Sequence, residues 1–274
     1  MNRSPSGLYS TLVFGAMGTL WATVCLASPI LITDFSSGAP AGTSVSGDAV
    51  VEDGVLKLTE AVGGQSGFFF INDLDPGNAV GSFTASFTAY VGGGTCCGDS
   101  NSTPGLQTAD GFSFNFANDL PATFQGEEGG GTGLTVSFDS WDNQAPDEAP
   151  VIDVFWDGAL VGQFPTTISQ GLLAPVDFWA VLIRLDSDGT LDVSYNNVLI
   201  VSNLLTGYTP ILGGQFAFGA RTGGANDNHW IDDLSIETQP GSAVPVPEPA
   251  SLLLLGTGGL GLIARLRRRR GQQS

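Results

Sequence analysis

The sequence predicts an all-β fold, an antiparallel two-sheet jelly-roll sandwich, on three observations. Apolar and polar residues alternate with a period of two in run after run, turn dipeptides separate the runs, and no stretch holds a long helical period. Val55-Leu56-Lys57-Leu58-Thr59, Ser82 to Tyr90, Phe112 to Phe116, Leu134 to Phe138 and Leu191 to Tyr195 each offer one apolar and one polar face, as a half-buried strand requires. Asp157-Gly158, Asp188-Gly189 and Asn196-Asn197 fall between strand-like runs, where two-residue hairpins need positive φ. About twelve or more such strands, without an internal repeat, fit one sandwich over residues 28–240. Phe112, Phe114, Phe116, Phe138, Phe216 and Phe218 are assigned to its core.

Composition narrows the function. The 39 glycines among 274 residues are about twice the usual ~7% and fit a turn-rich chain, while 42% hydrophobic residues argue against disorder. A net charge of -18 repels phosphate backbones, so a nucleic-acid partner is excluded. The single histidine, His229, rules out zinc sites built on several imidazoles, and Cys96 and Cys97 are too few to replace them. Of the 27 acidic residues all but Glu248 lie between Ser28 and Pro240, where the only basic residues are Lys57, Arg184 and Arg221. Such acidic loops either hold cations or form a solvated face that keeps an exported protein soluble.

The two ends stand outside the sandwich. Arg3, the mostly apolar run Leu8 to Leu26 and the small residue Ala27 have the layout of a secretory signal peptide, residues 1–27, cut after Ala27; Cys25 leaves with it. Residues 241–249 are a proline-rich linker, residues 250–264 an uncharged helix, and residues 265–274 a basic tail with Arg265 and Arg267 to Arg270. Fifteen helical residues rise only ~22 Å against a ~30 Å hydrocarbon core, so this transmembrane helix needs snorkelling arginines. The basic cluster sets the tail in the cytoplasm and the rest outside.

Pro247-Glu248-Pro249, a short apolar helix and a basic tail, in that order, resemble the PEP-CTERM sorting signal of bacteria that make exopolysaccharide. The resemblance implies an exosortase partner, an intermediate anchored in the inner membrane, and a final place at the cell surface or in the extracellular matrix. An ordinary tail anchor uses the same residues.

Four further segments follow one another in a family's order: Ala109-Asp110-Gly111-Phe112, Gly129-Gly130-Gly131-Thr132-Gly133-Leu134, Val136-Ser137-Phe138-Asp139-Ser140-Trp141-Asp142-Asn143, and Phe216-Ala217-Phe218-Gly219-Ala220-Arg221-Thr222-Gly223-Gly224. Together they resemble the legume-type (L-type) lectins of the concanavalin-like sandwich superfamily, from about Asp34 to Glu237. The resemblance implies carbohydrate binding, with Asp110, Gly130 or Gly131, and Asn143 on the sugar hydroxyls. The loop Thr222, Gly223, Gly224 to Asn226 would set specificity. It also implies a calcium ion held by Asp139, the Trp141 carbonyl, Asn143 and Asp147, an all-oxygen shell that suits a hard cation. Asp139 to Asp147 is one residue shorter than in the plant proteins, which leaves Glu148 and Asp153 as alternatives to Asp147. Ser137 stands where those proteins have a glutamate, and no histidine follows Asp147 at the usual spacing, so the transition-metal site is expected to be missing.

Asp186-Ser187-Asp188-Gly189 lacks the downstream glutamate of a calcium loop and reads as a hairpin. Adjacent Cys96 and Cys97 allow a strained vicinal disulfide or an intermolecular cross-link. Enzyme chemistry is not expected: the paired-carboxylate strand Glu-x-Asp-x-x-Glu of sandwich glucanases and the Gly-x-Ser-x-Gly elbow are both absent. The expected function is an exported, surface or exopolysaccharide-associated glycan binder. The alternative is a structural surface or biofilm-matrix protein that keeps the sandwich without the site.

Overall fold

The computed structural model describes residues 30–94, 110–141, 149–165 and 177–241. The signal peptide, Cys96, Cys97, Asn143, Asp147, Pro247, Glu248, Pro249, the helix 250–264 and the basic tail lie outside them. No helix among the described residues is long and apolar enough to cross a membrane.

The described residues form two antiparallel sheets. The seven-stranded sheet runs β10 (Ala159–Pro165), β9 (Val151–Trp156), β8 (Leu134–Asp139), β7 (Gly111–Ala117), β15 (Gln215–Arg221), β5 (Ser66–Ile71), β2 (Thr43–Gly47). The nine-stranded sheet runs β13 (Val198–Leu205), β12 (Thr190–Tyr195), β11 (Trp179–Leu185), β6 (Ala79–Gly92), β16 (Asn228–Pro240), β4 (Val55–Thr59), β3 (Val50–Glu52). β1 (Ile30–Thr33) adds to β16, and β14 (Ile211–Leu212) adds to β6. β16 begins beside Val91 and Gly92 of β6 and ends beside Val80, so it crosses the sandwich from one end to the other.

The alternation seen in the sequence becomes the core. Phe112, Phe114 and Phe116 point inward from β7, and Phe216 and Phe218 from β15. From the facing sheet Phe83 meets Phe216 edge-on at 5.2 Å, and Phe87 meets Phe218 edge-on at 5.0 Å, the geometry ring quadrupoles favour. Phe138 stacks on Phe112 at 4.5 Å.

The three expected hairpins form. Asp157 and Gly158 (φ 52 and 71) join β9 to β10, and Asn196 and Asn197 (φ 49 and 62) join β12 to β13. At the β11–β12 turn Asp188 Oδ1 accepts from the amide and hydroxyl of Thr190, so Asp186 to Gly189 is a hairpin and not half of a calcium loop. Asp53-Gly54 (φ 54 and 81), a turn dipeptide of the same kind, joins β3 to β4 in the same way.

Candidate functional site

The site forms where β7 begins, β8 ends and β15 ends. Antiparallel register places Gly111 opposite Asp139 on one side and opposite Arg221 on the other, so Asp110 sits at the mouth of three strands. Its backbone is held on both sides: the Asp110 amide donates to the Arg221 carbonyl (3.1 Å), and its carbonyl accepts from the Ser140 amide (2.9 Å). Gly111 adopts φ 141, and a Cβ there would strike the Phe138 carbonyl, which is the physical reason for an Asp-Gly step at this point.

Asp110 Oδ2 lies 3.2 Å from Arg221 Nε. The same guanidinium donates through Nη2 to Glu127 Oε1 and through Nη1 to Gln125 Oε1 (2.9 Å). Glu127 comes from the short 3₁₀ turn Gly126–Glu128, which can press against the backbone of Ala220 and Arg221 because Gly126 has no side chain. Glu127 is 0% exposed and Asp110 6%, so one cation serves two buried carboxylates. Burial pushes the Glu127 carboxyl up to about 7 and outweighs the pull of Arg221. Burial also raises Asp110, again opposed by Arg221.

Asp139 closes the far side. Its Oδ1 accepts the Trp141 amide at 2.9 Å, an Asx turn that fixes the carboxylate and the start of the following loop. From the other direction Gly223 comes close: a Cβ placed on it would be 3.4 Å from Asp110 Oδ2. Thr222 serves a structural role, since its hydroxyl donates to the Val62 carbonyl (2.6 Å) and accepts from the Gln65 amide (3.0 Å), tying the loop to the β4–β5 connection. Gly224 is exposed, and Asn226 is buried at the start of the turn into β16. The rim therefore brings together Asp110, Asp139, Trp141, Thr222 and Gly223.

Gly130 and Gly131 do not join them. The Gly130 amide donates to Asn115 Oδ1 (3.1 Å), and Gly131 packs against Ala117, Asp119 and Leu120. Asn115 is five residues along β7 from Asp110, about 17 Å at strand rise, too far for one sugar ring to span. The glycine run is instead part of a strap over the outward face of the seven-stranded sheet. Phe124 of that strap lies on Phe68 at 4.7 Å, in a space left by outward-facing Gly219 and bordered by Gly130. The residues that the strap does send to the rim, Gln125 and Glu127, were not foreseen, and nor was Arg221.

For calcium, the described part of the expected shell is Asp139 and Trp141. A fixed carboxylate followed by a main-chain carbonyl is a donor set that suits a hard cation. Among the described residues no group of three or more His, Cys, Asp or Glu could hold a metal ion. His229 is not a ligand here. The Thr59 hydroxyl, which donates to the Asp227 carbonyl (3.1 Å), accepts from His229 Nδ1 at 2.6 Å, and burial lowers the imidazole to about 3 and keeps it neutral.

Glu127→Gln tests the buried triad. Its carboxyl has an ordinary value of 4.5 and a folded value of about 7, so the stability it contributes is in place below pH 4.5 and lost as pH rises through 7. The substitution is expected to stabilise the protein at pH 8 by up to about 3 kcal/mol and to leave it unchanged near pH 4.5. Denaturant unfolding at both pH values checks this; a gain independent of pH would rule out Glu127 as the titrating group.

Three structural relatives show the same sandwich. The exoplasmic/lumenal domain of VIP36, in a Ca2+/Man2-bound form, superposes with a TM-score of 0.58 at 18% identity over 80% of this chain and 90% of that one. A lectin from Bauhinia forficata in complex with GalNAc gives 0.58 at 15% over 78% and 99%. Lectin I-B4 from Griffonia simplicifolia, in a metal-free form, gives 0.58 at 18% over 77% and 99%. The fold is thus that of the L-type lectins. Residues 245–270 match the PEP-CTERM protein-sorting motif. No curated protein matches the sequence.

Proposed function

We propose that this chain is an exported, non-enzymatic glycan-binding protein that recognises sugar hydroxyls at the Asp110 rim and is sorted by an exosortase through Pro247-Glu248-Pro249. The observation that carries the reading is the meeting of Asp110, the end of β8 and the Thr222–Gly223 loop, segments far apart in sequence, at one end of the sandwich. The lectin sandwich and the sorting motif support it. A pinned carboxylate accepts from vicinal hydroxyls, and main-chain groups of the adjoining Gly223-Gly224 loop would complete the recognition. Calcium held by Asp139, the Trp141 carbonyl, Asn143 and Asp147 would orient Asn143 toward the same sugar. The sorting motif supports passage through an inner-membrane intermediate to the cell surface or extracellular matrix.

A second reading has an observation in its favour. Asp110 is engaged by Arg221, as expected of a sandwich that has become a structural surface or matrix protein. A glycan array read with and without a calcium chelator separates the two. Specific binding that falls on chelation, and is lost by about tenfold or more in Asp110→Asn, is the expected result. An empty array from folded protein would establish the structural reading instead.

A further inference from the structure

We propose a second carbohydrate subsite on the outward face of the seven-stranded sheet, a cavity of about 240 Å³ across β8, β9 and β10, which makes the ligand an oligosaccharide. The Asp110 end of that ligand rests on the reading above; the cavity stands on its own geometry.

The floor is built from two rungs. Ser137 of β8 lies opposite Asp153 of β9, which lies opposite Gln163 of β10, and this gives a row of hydrogen-bonding groups. In the next rung Phe155 lies opposite Leu160, an apolar step. Leu160 and Gln163 are three apart and would point to opposite faces of a regular strand. The register shift between Leu160 and Gly162 is a bulge that turns both outward. Glu128 overhangs the floor from the 3₁₀ turn, and Asp139 closes the end nearest Asp110.

A wall that is apolar on one rung and rich in donors and acceptors on the next matches a pyranose ring, which offers a C–H face and an edge of hydroxyls. Leu160 is half exposed, with nothing of the described core covering it, whereas Ser137 and Asp153 are buried at 3% and 8%. Polar groups fixed in a concave wall set a small ligand's orientation, and the apolar side chains beside them supply contact area. A bare cation is a poorer fit, because no three His, Cys, Asp or Glu among the described residues could hold a metal ion.

The cavity and the rim belong to one groove. Gly111, next to Asp110, pairs with Asp139, and the next residue outward on β8 is Ser137. From β7 to β10 are three strand spacings, about 14 Å, so a single sugar cannot fill both places. The paired glutamates of the turn divide between them: Glu127 reaches back to Arg221 and Glu128 faces the cavity.

The test is calorimetric titration of the full chain with manno- and gluco-oligosaccharides of one to four units, for the wild type, Gln163→Ala, Leu160→Ala and Asp110→Asn. Affinity in one series is expected to rise by about tenfold or more from one unit to three. Both cavity variants should lose that rise and keep the wild-type affinity for the monosaccharide. A rise that survives in both variants, or affinity that does not grow with length, overturns the subsite and leaves the rim reading intact. Monosaccharide binding unchanged in Asp110→Asn overturns the rim reading, while the subsite stands if Gln163→Ala still removes the length effect. No binding of any member by folded protein overturns both.

Discussion

Arg221→Met is expected to destabilise the sandwich by about 3–5 kcal/mol at pH 8, the usual loss when one partner of a buried ion pair is removed. Methionine keeps much of the side-chain volume, so the loss reflects charge. Without the guanidinium, Asp110 and Glu127 are like charges in a buried site, with no cation between them. They escape only by taking up protons. The loss should therefore shrink markedly by pH 5, where Glu127, whose carboxyl already sits at about 7, is neutral in the wild type as well. Denaturant midpoints at the two pH values measure this. An equal loss at both would show that Arg221 acts through the packing of its methylenes rather than its charge.

Phe114→Ala is expected to cost about 3–5 kcal/mol at any pH, because it leaves a cavity that its neighbours cannot close. Phe114 is fully buried in the middle of β7 and meets rings on both sides of the core: Phe83 at 5.9 Å and Phe87 at 6.3 Å from the nine-stranded sheet, Phe216 at 5.8 Å and Phe218 at 5.4 Å from its own. Thermal melting at pH 8 and pH 5 checks it. A loss that varied with pH as that of Arg221→Met does would place Phe114 in the charged network, not in the core.

The fold was legible because its signals are local. A period of two marks Val55 to Thr59 or Leu134 to Phe138 without knowledge of the partner strand, and Asn196-Asn197 announces its own turn. Register then brings Asp110 beside Asp139. The strap was not legible. Gly130 and Gly131 stand in the right order along the chain, but their place depends on Phe124 finding the gap above Gly219, a contact between residues 95 apart that no period records. Arg221 and Glu127 are 94 apart and equally silent. One clue existed: in a domain with Lys57, Arg184 and Arg221 as its only basic residues, a buried carboxylate that pairs with a cation has only these three to choose from. The bulge at Val161 left a trace in Gly162, since a glycine inside a strand pattern signals a break in the ladder.

β16 starts beside the Gly223 loop and leaves the sandwich at Pro240, with its partner β1 reversing alongside it from Ile30 opposite Glu237. Both ends of the described chain thus emerge at the pole remote from Asp110, about 40 Å away at strand rise over the length of β16. A tether through the segment that follows Gly241 would hold the domain by the pole opposite its rim. The site proposed at that rim thus lies at the end of the domain farthest from the point where the tail departs. The same arrangement ties the first strand to the last: β1 has no strand to lie against until β16 is made, so the nine-stranded sheet is completed only once the whole domain is available.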